Sequence, residues 1–319
     1  MTITQNSSAP LVAVVGATGT QGGSVIRALE ESDKPYRIRG FTRDATKPAA
    51  QQLVAKGVEI VAIQLVVANK EAVFKAFAGA NMAFLVTNFW EHITLEKEVS
   101  EAKMFIDAVK AAAVERVVWS GLTSVSKASA GKYTHVIHFD GKAEIAEYGR
   151  QSGVPFVDVQ AGFYGSNFLD SPMMVAKQDD GSFTIELPTK PTTVVPIIDT
   201  AQDYGLYVRQ VLELPVFPDG SEVLTAGENI SVEDIALQFS QATGKKIVFK
   251  QITPAEFGNV VAKLGLPAYI VQDMQECFGA FDEFGYYGGK AITSHDGLAR
   301  KPRTWAEFIA TADWSKALA

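Results

Sequence analysis

The chain has 319 residues, 47% of them hydrophobic and 20% charged, which is typical of a globular protein and excludes a disordered or fibrous one. Its net charge of −7 argues against direct nucleic-acid binding. A single cysteine excludes an internal disulfide and a cysteine-rich metal site, and we expect no metal. No apolar run is long enough to span a membrane, and the start lacks the regions of a secretory signal. We therefore expect a cytoplasmic protein that begins with a flexible tail over residues 1–10.

Short apolar segments alternate with helical patterns through the first half of the chain. The predicted strands are 11–15, 37–42, 58–64, 82–87, 116–120 and 156–160, and the predicted helices are 22–31, 49–56, 71–78, 95–113 and 135–151. This alternation predicts an α/β fold, a Rossmann-type doubly wound parallel sheet with helices on both faces. Ligands of such sheets bind beyond the carboxyl ends of the strands.

The pattern changes after residue 170, where prolines accumulate and loops lengthen. We predict strands at 182–187 and 194–198, and helices at 231–243 and 304–318. The sequence thus indicates a Rossmann domain over 11–165. A smaller C-terminal α+β lobe over 166–319 would contact a substrate or partner, with the chain interleaving between the two lobes.

Three glycines follow the first predicted strand and open the first helix. Gly16 suits a tight turn, Gly19 lets backbone approach a pyrophosphate, and Gly22 allows the helix to pack closely on the strand. The free N–H groups at the helix N-terminus favour an anion. This context predicts a dinucleotide site; the alternative is a glycine-rich turn in a flavodoxin-like fold without a ligand.

The end of the second strand indicates which dinucleotide binds. Folds that prefer NAD place an acid there, whereas folds that prefer NADP place an arginine near the 2′-phosphate. Here Arg43 occupies that place with Lys47 nearby, which favours NADP(H). Two alternatives remain open: Asp44 contacts the ribose, or Arg43 is an exposed side chain without a role.

Several motifs recur in the order seen in one family. They are the glycine-rich segment 16–25, Thr42-Arg43, the segments 84–91, 119–122 and 138–142, and Tyr164 with Asn167. Together they resemble the NmrA-like family of atypical short-chain dehydrogenases/reductases, which includes NADPH-sensing proteins and fungal oxidoreductases. Two positions depart from relatives: Gln64 stands where an Asp-rich stretch is common, and Ser100 stands where a Lys occurs.

The resemblance implies a role for each matching residue. Those expected at the pyrophosphate are Gly16, Thr18, Gly19, Thr20, Gln21, Gly22 and Gly23. Those expected elsewhere along NADP(H) are Arg43 and Lys47 at the 2′-phosphate, Gln64 at the adenine, Thr87, Asn88 and Phe89 along the adenosine and nicotinamide ribose, Lys142 at the ribose hydroxyls, and Phe163, Tyr164 and Asn167 near the nicotinamide.

The expected catalytic helix carries Lys142, but His138 stands four residues before it, where ordinary short-chain dehydrogenases have a tyrosine. An imidazole can donate a proton near neutral pH, although His138 could equally be a packed residue. Thr123, which follows the fifth strand, and Tyr164, which follows the sixth, could also complete an active site.

Two functions agree with this pattern. One is an NADPH-dependent oxidoreductase that acts on a small apolar carbonyl, enone or imine, with the aromatic stretch 278–287 lining a pocket or lid; that stretch could instead be ordinary core. The other is a non-catalytic NADPH/NADP+ sensor that regulates a protein partner, such as a transcription factor, and a homodimer is a further expected assembly.

Overall fold

A computed structural model describes residues 3–171 and 173–319, and it confirms the doubly wound α/β fold. The strands of the described residues are β1 (Leu11–Val14), β2 (Arg37–Thr42), β3 (Glu59–Ala62), β4 (Met82–Leu85), β5 (Arg116–Trp119), β6 (Phe156–Gln160), β7 (Phe163–Tyr164), β8 (Ala176–Lys177), β9 (Phe183–Leu187), β10 (Val194–Ile198), β11 (Glu222–Leu224), β12 (Glu228–Ser231) and β13 (Ile247–Gln251). Seven of them are parallel and form the central sheet, in the order β11-β6-β5-β4-β1-β2-β3.

Helices follow most strands, as parallel connections require. They are α1 (Thr20–Glu30), α2 (Pro48–Ala55), α3 (Lys70–Ala76), α4 (Phe89–His92), α5 (Leu95–Ala111), α6 (Val125–Ala128), α7 (Ile137–Gln151), α8 (Asn167–Asp170), α9 (Thr200–Glu213), α10 (Val232–Thr243), α11 (Pro254–Ala262), α12 (Ala268–Phe284) and α13 (Trp305–Thr311).

Alternate residues of the central strands pack into two different cores. Val118 of β5 joins the core shared with α1 and α9, whereas Val117 and Trp119 face the core that includes residues of α5 and α7. Because both faces are covered, these strands are almost wholly apolar. This explains why short apolar runs could predict them.

Two elements of the central layer come from the C-terminal half and are absent from the predicted elements. Strand β11 extends the sheet beside β6, and α9 packs along α1. At their crossing a Cβ on Gly205 would lie 2.1 Å from the carbonyl oxygen of Ser24, so only glycine fits there. Helix α9 thus completes one face of the Rossmann layer.

The rest of the C-terminal half forms two three-stranded sheets, β12-β10-β7 and β13-β9-β8. They share a core with α10, α12 and α13 in which Trp305 is 1% exposed and packs against Phe168 and Phe239. The predicted final helix is shorter than expected: it begins at Trp305, behind the N-cap Thr304 that forms a capping box with Glu307, and it ends at Thr311.

The predicted flexible tail makes defined contacts where the structure describes it. Ile3 forms a parallel bridge with Tyr36 and is 8% exposed, and the N–H of Thr4 donates to the carbonyl of Tyr36 at 2.9 Å. Ile3 and Thr4 therefore lie against the start of β2, whereas residues 5–8 are exposed; residues 1 and 2 are outside the described residues. Among the described helices, none combines the length and apolar character needed to cross a membrane.

Candidate functional site at the carboxyl edge of the sheet

The glycine loop joins β1 to α1 in a tight turn. Gly16 has a φ of 65°, which favours glycine, and the N–H of Gly19 donates to its carbonyl at 2.8 Å. A Cβ on Gly22 would lie 2.2 Å from that same carbonyl oxygen. Since α1 has no side-chain cap, its first N–H groups are available to an anion.

The residues predicted at the pyrophosphate differ in exposure. Thr18, Gly19 and Thr20 are exposed, whereas Gln21 is buried. The Gln21 side chain accepts a hydrogen bond at 3.0 Å from the Ser120 hydroxyl, beyond β5. Its side chain therefore ties the loop to the neighbouring strand end, and only its backbone is placed at the helix N-terminus.

The residues predicted at the 2′-phosphate and adenine lie on the exposed rim. Arg43 follows β2, and its guanidinium pairs with Glu91 of α4 at 2.5 Å. Lys47, at the start of α2, and Gln64 are also exposed. Asp44 accepts hydrogen bonds from the backbone and hydroxyl of Thr46, which hold its pKa below the ordinary value.

Lys142 of α7 reaches the end of β4 and meets a buried acid. Its ammonium donates to the carbonyl and hydroxyl oxygens of Thr87, at 3.0 and 2.9 Å, and to Glu98 of α5 at 3.0 Å. The side chains of Lys142 and Glu98 are 12% and 2% exposed. All three ammonium hydrogens thus have protein acceptors.

This cluster lies beside the glycine loop. Strands β1 and β4 are neighbours in register, and a Cβ on Gly16 would be 3.3 Å from Val86, the residue before Thr87. The structure therefore brings the predicted pyrophosphate loop and Lys142 to one edge of the sheet, and Glu98 joins them. Asn88 and Phe89 continue this edge as the start of α4, where Phe89 is buried.

His138 lies one turn before Lys142 and contacts an acid from the C-terminal half. Its Nδ1 contacts the carboxylate of Asp273 of α12, whose side chain is fully buried, and the backbone N–H of His138 donates to the same carboxylate at 3.1 Å. The ring packs against Trp90 and Phe139, with centroid distances of 5.3 and 4.8 Å.

Thr123 ends a buried polar chain. Its hydroxyl donates to the side-chain Oε1 of Gln160 at 2.7 Å, and the side-chain Nε2 of Gln160 donates to Asp158 at 2.9 Å. Arg150 contacts the same carboxylate oxygen of Asp158 at 3.4 Å. Burial raises the pKa of the Asp158 carboxyl to about 7.

Phe163 and Tyr164 form β7, and Asn167 begins α8. Phe163 is buried against Phe168 and Tyr286. Burial raises the pKa of Tyr164 well above that of a free phenol, so its hydroxyl remains protonated.

The aromatic stretch predicted as a pocket or lid is mainly core. Phe278, Phe281 and Tyr286 are all less than 9% exposed. A cavity of about 10 Å³ is lined by Phe278 and Phe281 together with Phe163, and this is space for no more than a water molecule. A substrate would need a different opening. Among the described residues, no group of three acids, histidines or cysteines could hold a metal.

Sequence reasoning missed the acids that contact the predicted residues, which are Glu91, Glu98 and Asp273, and it missed Asp158, which reaches Thr123 through Gln160. Glu98 carried a usable signal, because an acid on an otherwise apolar helix face indicates a buried partner. Asp273 carried none, since it lies 135 residues from His138.

Comparisons with known proteins agree with this architecture. The model of the NmrA-like family matches residues 8–309. An NmrA-like family domain-containing oxidoreductase, cpsB of Aspergillus campestris, is 29% identical over 307 residues, covering 91% of this chain and 88% of that protein. An NAD(P)H azoreductase of Xenophilus azovorans is 26% identical over 301 residues, covering 93% and 96%.

Two solved structures share the fold. NmrA, a negative transcriptional regulator crystallised with NADP, superposes with a TM-score of 0.78 at 22% identity, covering 96% of this chain and 95% of that one. The NADPH-dependent quinone oxidoreductase QOR2 of Escherichia coli, crystallised with NADPH, has a TM-score of 0.74 at 19% identity, covering 94% and 98%. With the family model spanning nearly the whole chain, the protein belongs to the NmrA-like family.

Proposed function

We propose that the protein is a cytoplasmic NADPH-dependent oxidoreductase that reduces a small apolar carbonyl, enone or imine. The observation that carries the proposal is the position of Lys142, whose ammonium lies against Thr87 at the edge that bears the glycine loop. Relatives named as oxidoreductases support this activity. The region 11–165 would hold the cofactor, and 166–319 would face the substrate.

The residues at this edge fit NADP(H). The uncapped N-terminus of α1, with Gly16, Thr18, Gly19, Thr20, Gln21, Gly22 and Gly23, would hold the pyrophosphate. Arg43 and Lys47 would hold the 2′-phosphate, Gln64 the adenine, Thr87, Asn88 and Phe89 the ribose side, and Phe163, Tyr164 and Asn167 the nicotinamide. The bound dinucleotide supplies a hydride.

Two protein groups are constrained in what they can do for a substrate. Lys142 must release one of its present acceptors before it can donate to a ribose hydroxyl. Thr123 already donates its hydroxyl hydrogen to Gln160, so its oxygen could only accept a hydrogen bond from a substrate. Both residues would hold and orient the bound molecules.

A second candidate function is an NADPH/NADP+ sensor that acts on a protein partner or a second copy of the chain. Engagement of all three Lys142 hydrogens by Thr87 and Glu98 favours it, because such a lysine has no hydrogen free to protonate a substrate. A sensor requires that the two cofactor forms stabilise different protein states.

The test is to follow oxidation of NADPH by the purified full chain with quinones, enones, imines and ketones. The matched variants are Tyr164→Phe, which removes one hydroxyl, and the double variant Lys142→Met with Glu98→Gln, which keeps the cluster neutral. Turnover that falls in the double variant supports the enzyme. Binding of NADPH without turnover, together with a change of assembly between NADPH and NADP+ in light scattering, supports the sensor.

A further inference from the structure

The hydrogen bonds at the sheet edge restrict which side chain can give a proton to a substrate. Lys142 donates all three of its hydrogens to Thr87 and Glu98, and Thr123 donates its one hydrogen to Gln160. The Tyr164 hydroxyl has no hydrogen-bond partner among the described residues, but burial makes its phenol a weaker acid. His138 is the remaining candidate of the four.

The imidazole of His138 is held from one side by a single carboxylate. One oxygen of Asp273 contacts Nδ1 and the other accepts the His138 backbone N–H. Within the described ranges, Nδ1 and the contacting oxygen are both buried without a hydrogen-bond partner, and their polar contact is with each other. Because a carboxylate is an acceptor, the proton of the neutral ring belongs on Nδ1 and Nε2 is left with its lone pair.

We propose that His138 donates the proton in the reduction and that Asp273 is the positioning residue that leaves Nε2 as its working atom; this rests on the proposed function. In the reduction the substrate carbon would gain the hydride that bound NADPH supplies, and the C=O π bond would open. The substrate oxygen takes the Nε2 proton of the His138 imidazolium, and the neutral imidazole recovers a proton from solvent.

The surroundings of the ring hold the imidazole in one position. The charged group against it is Asp273 of α12, while α4 contributes the uncharged rings of Phe89 and Trp90. One turn along α7, the charge of Lys142 is balanced by Glu98. Asp273 is therefore the charged group that touches the ring and holds it in place.

A second acid of α12 provides a matched control. Glu276 accepts the backbone N–H groups of Thr134 and His135 and contacts the His135 ring at 2.7 Å. It binds the backbone just before α7, as Asp273 binds the backbone at the start of α7, but it does not contact His138. If the two acids only support the structure, substituting either one should lower the activity alike. If Asp273 positions the imidazole, only its substitution should lower the activity.

The tautomer of His138 can be measured in the full chain without a substrate, by nitrogen NMR of protein labelled at its four histidines, with His138→Gln assigning the signal. His295 is an internal reference of the opposite kind, because its Nε2 must donate to the carbonyl of Ala226. We expect an Nδ1–H form for neutral His138, loss of that preference in Asp273→Asn, and movement of its Nε2 signal when NADP+ is added. An Nε2–H form, or a signal unmoved by bound NADP+, overturns the proposal.

Kinetics provide the second readout. With an accepted substrate, His138→Gln and Asp273→Asn should each lower kcat by about 100-fold and change the KM for NADPH less than about twofold, while Glu276→Gln keeps wild-type rates. An equal loss in Glu276→Gln shows that Asp273 acts only structurally and overturns its positioning role. If the NMR signals of the glycine-loop amides do not move when NADP+ is added, the proposed function fails. The His138 tautomer in the protein without cofactor still tests whether Asp273 holds the Nδ1 proton.

Discussion

The ion pair between Arg43 and Glu91 competes with any phosphate that Arg43 binds. The two side chains are 68% and 37% exposed and lie 2.5 Å apart. Arg43→Ala would remove the guanidinium, while Glu91→Gln would remove its competitor and keep the shape of the side chain. NADPH and NADH differ at the 2′-phosphate, so NADH serves as the control ligand.

The expected magnitude follows from two opposing contributions. A hydrogen bond to a charged group contributes about 2 kcal/mol, and an exposed ion pair such as Arg43–Glu91 contributes about 0.5 kcal/mol. The difference, about 1.5 kcal/mol, corresponds to roughly a tenfold change in Kd. Arg43→Ala should therefore weaken NADPH about tenfold, and Glu91→Gln should strengthen it by about twofold.

The assay is a titration of each variant with NADPH and NADH, followed by the fluorescence of the reduced nicotinamide. In the double variant, the effect of Glu91→Gln should disappear because its partner is gone. Equal weakening of both cofactors by Arg43→Ala would show that Arg43 does not contact the 2′-phosphate. A persistent effect of Glu91→Gln without Arg43 would show that Glu91 acts in another way.

Three further predictions concern stability, each measured by denaturant unfolding. Gly22→Ala should destabilise the fold by about 1–3 kcal/mol, because its Cβ would lie 2.2 Å from a backbone oxygen, whereas Gly23→Ala, whose nearest atom is at 3.6 Å, should be neutral or stabilising. Lys142→Met should cost about 3–5 kcal/mol by leaving Glu98 buried without its cation, and adding Glu98→Gln should restore much of that loss. The pKa of Asp158 is raised to about 7 in the folded state, so the native state binds the extra proton; stability should fall by up to about 1.4 kcal/mol per pH unit as pH rises from 4 towards 7, and Asp158→Asn should flatten that dependence. A wild-type curve that rises with pH over this interval, with the same slope in Asp158→Asn, would refute that assignment.

The parts of the fold that the sequence predicted are those with local signals. The strands buried on both faces appear as short apolar runs, and the glycine loop shows its spacing within seven residues, from Gly16 to Gly22. Helix α9 and strand β11 were not predicted because the layer they join is established by residues far earlier in the chain. Lys142 could be predicted because it stands in a local motif. Asp273 could not, because its contact with His138 exists only where α12 packs on α7.

The late arrival of β11 affects how the protein can be made. Strand β6 ends at Gln160, and the strand that covers its outer edge begins at Glu222; at ribosomal rates of about 5–20 residues per second, the edge stays open for roughly 3–12 seconds. During that interval the apolar face of α1 also lacks its cover from α9. A nascent or truncated chain that stops near residue 200 should therefore be prone to aggregate through this edge and to need a chaperone.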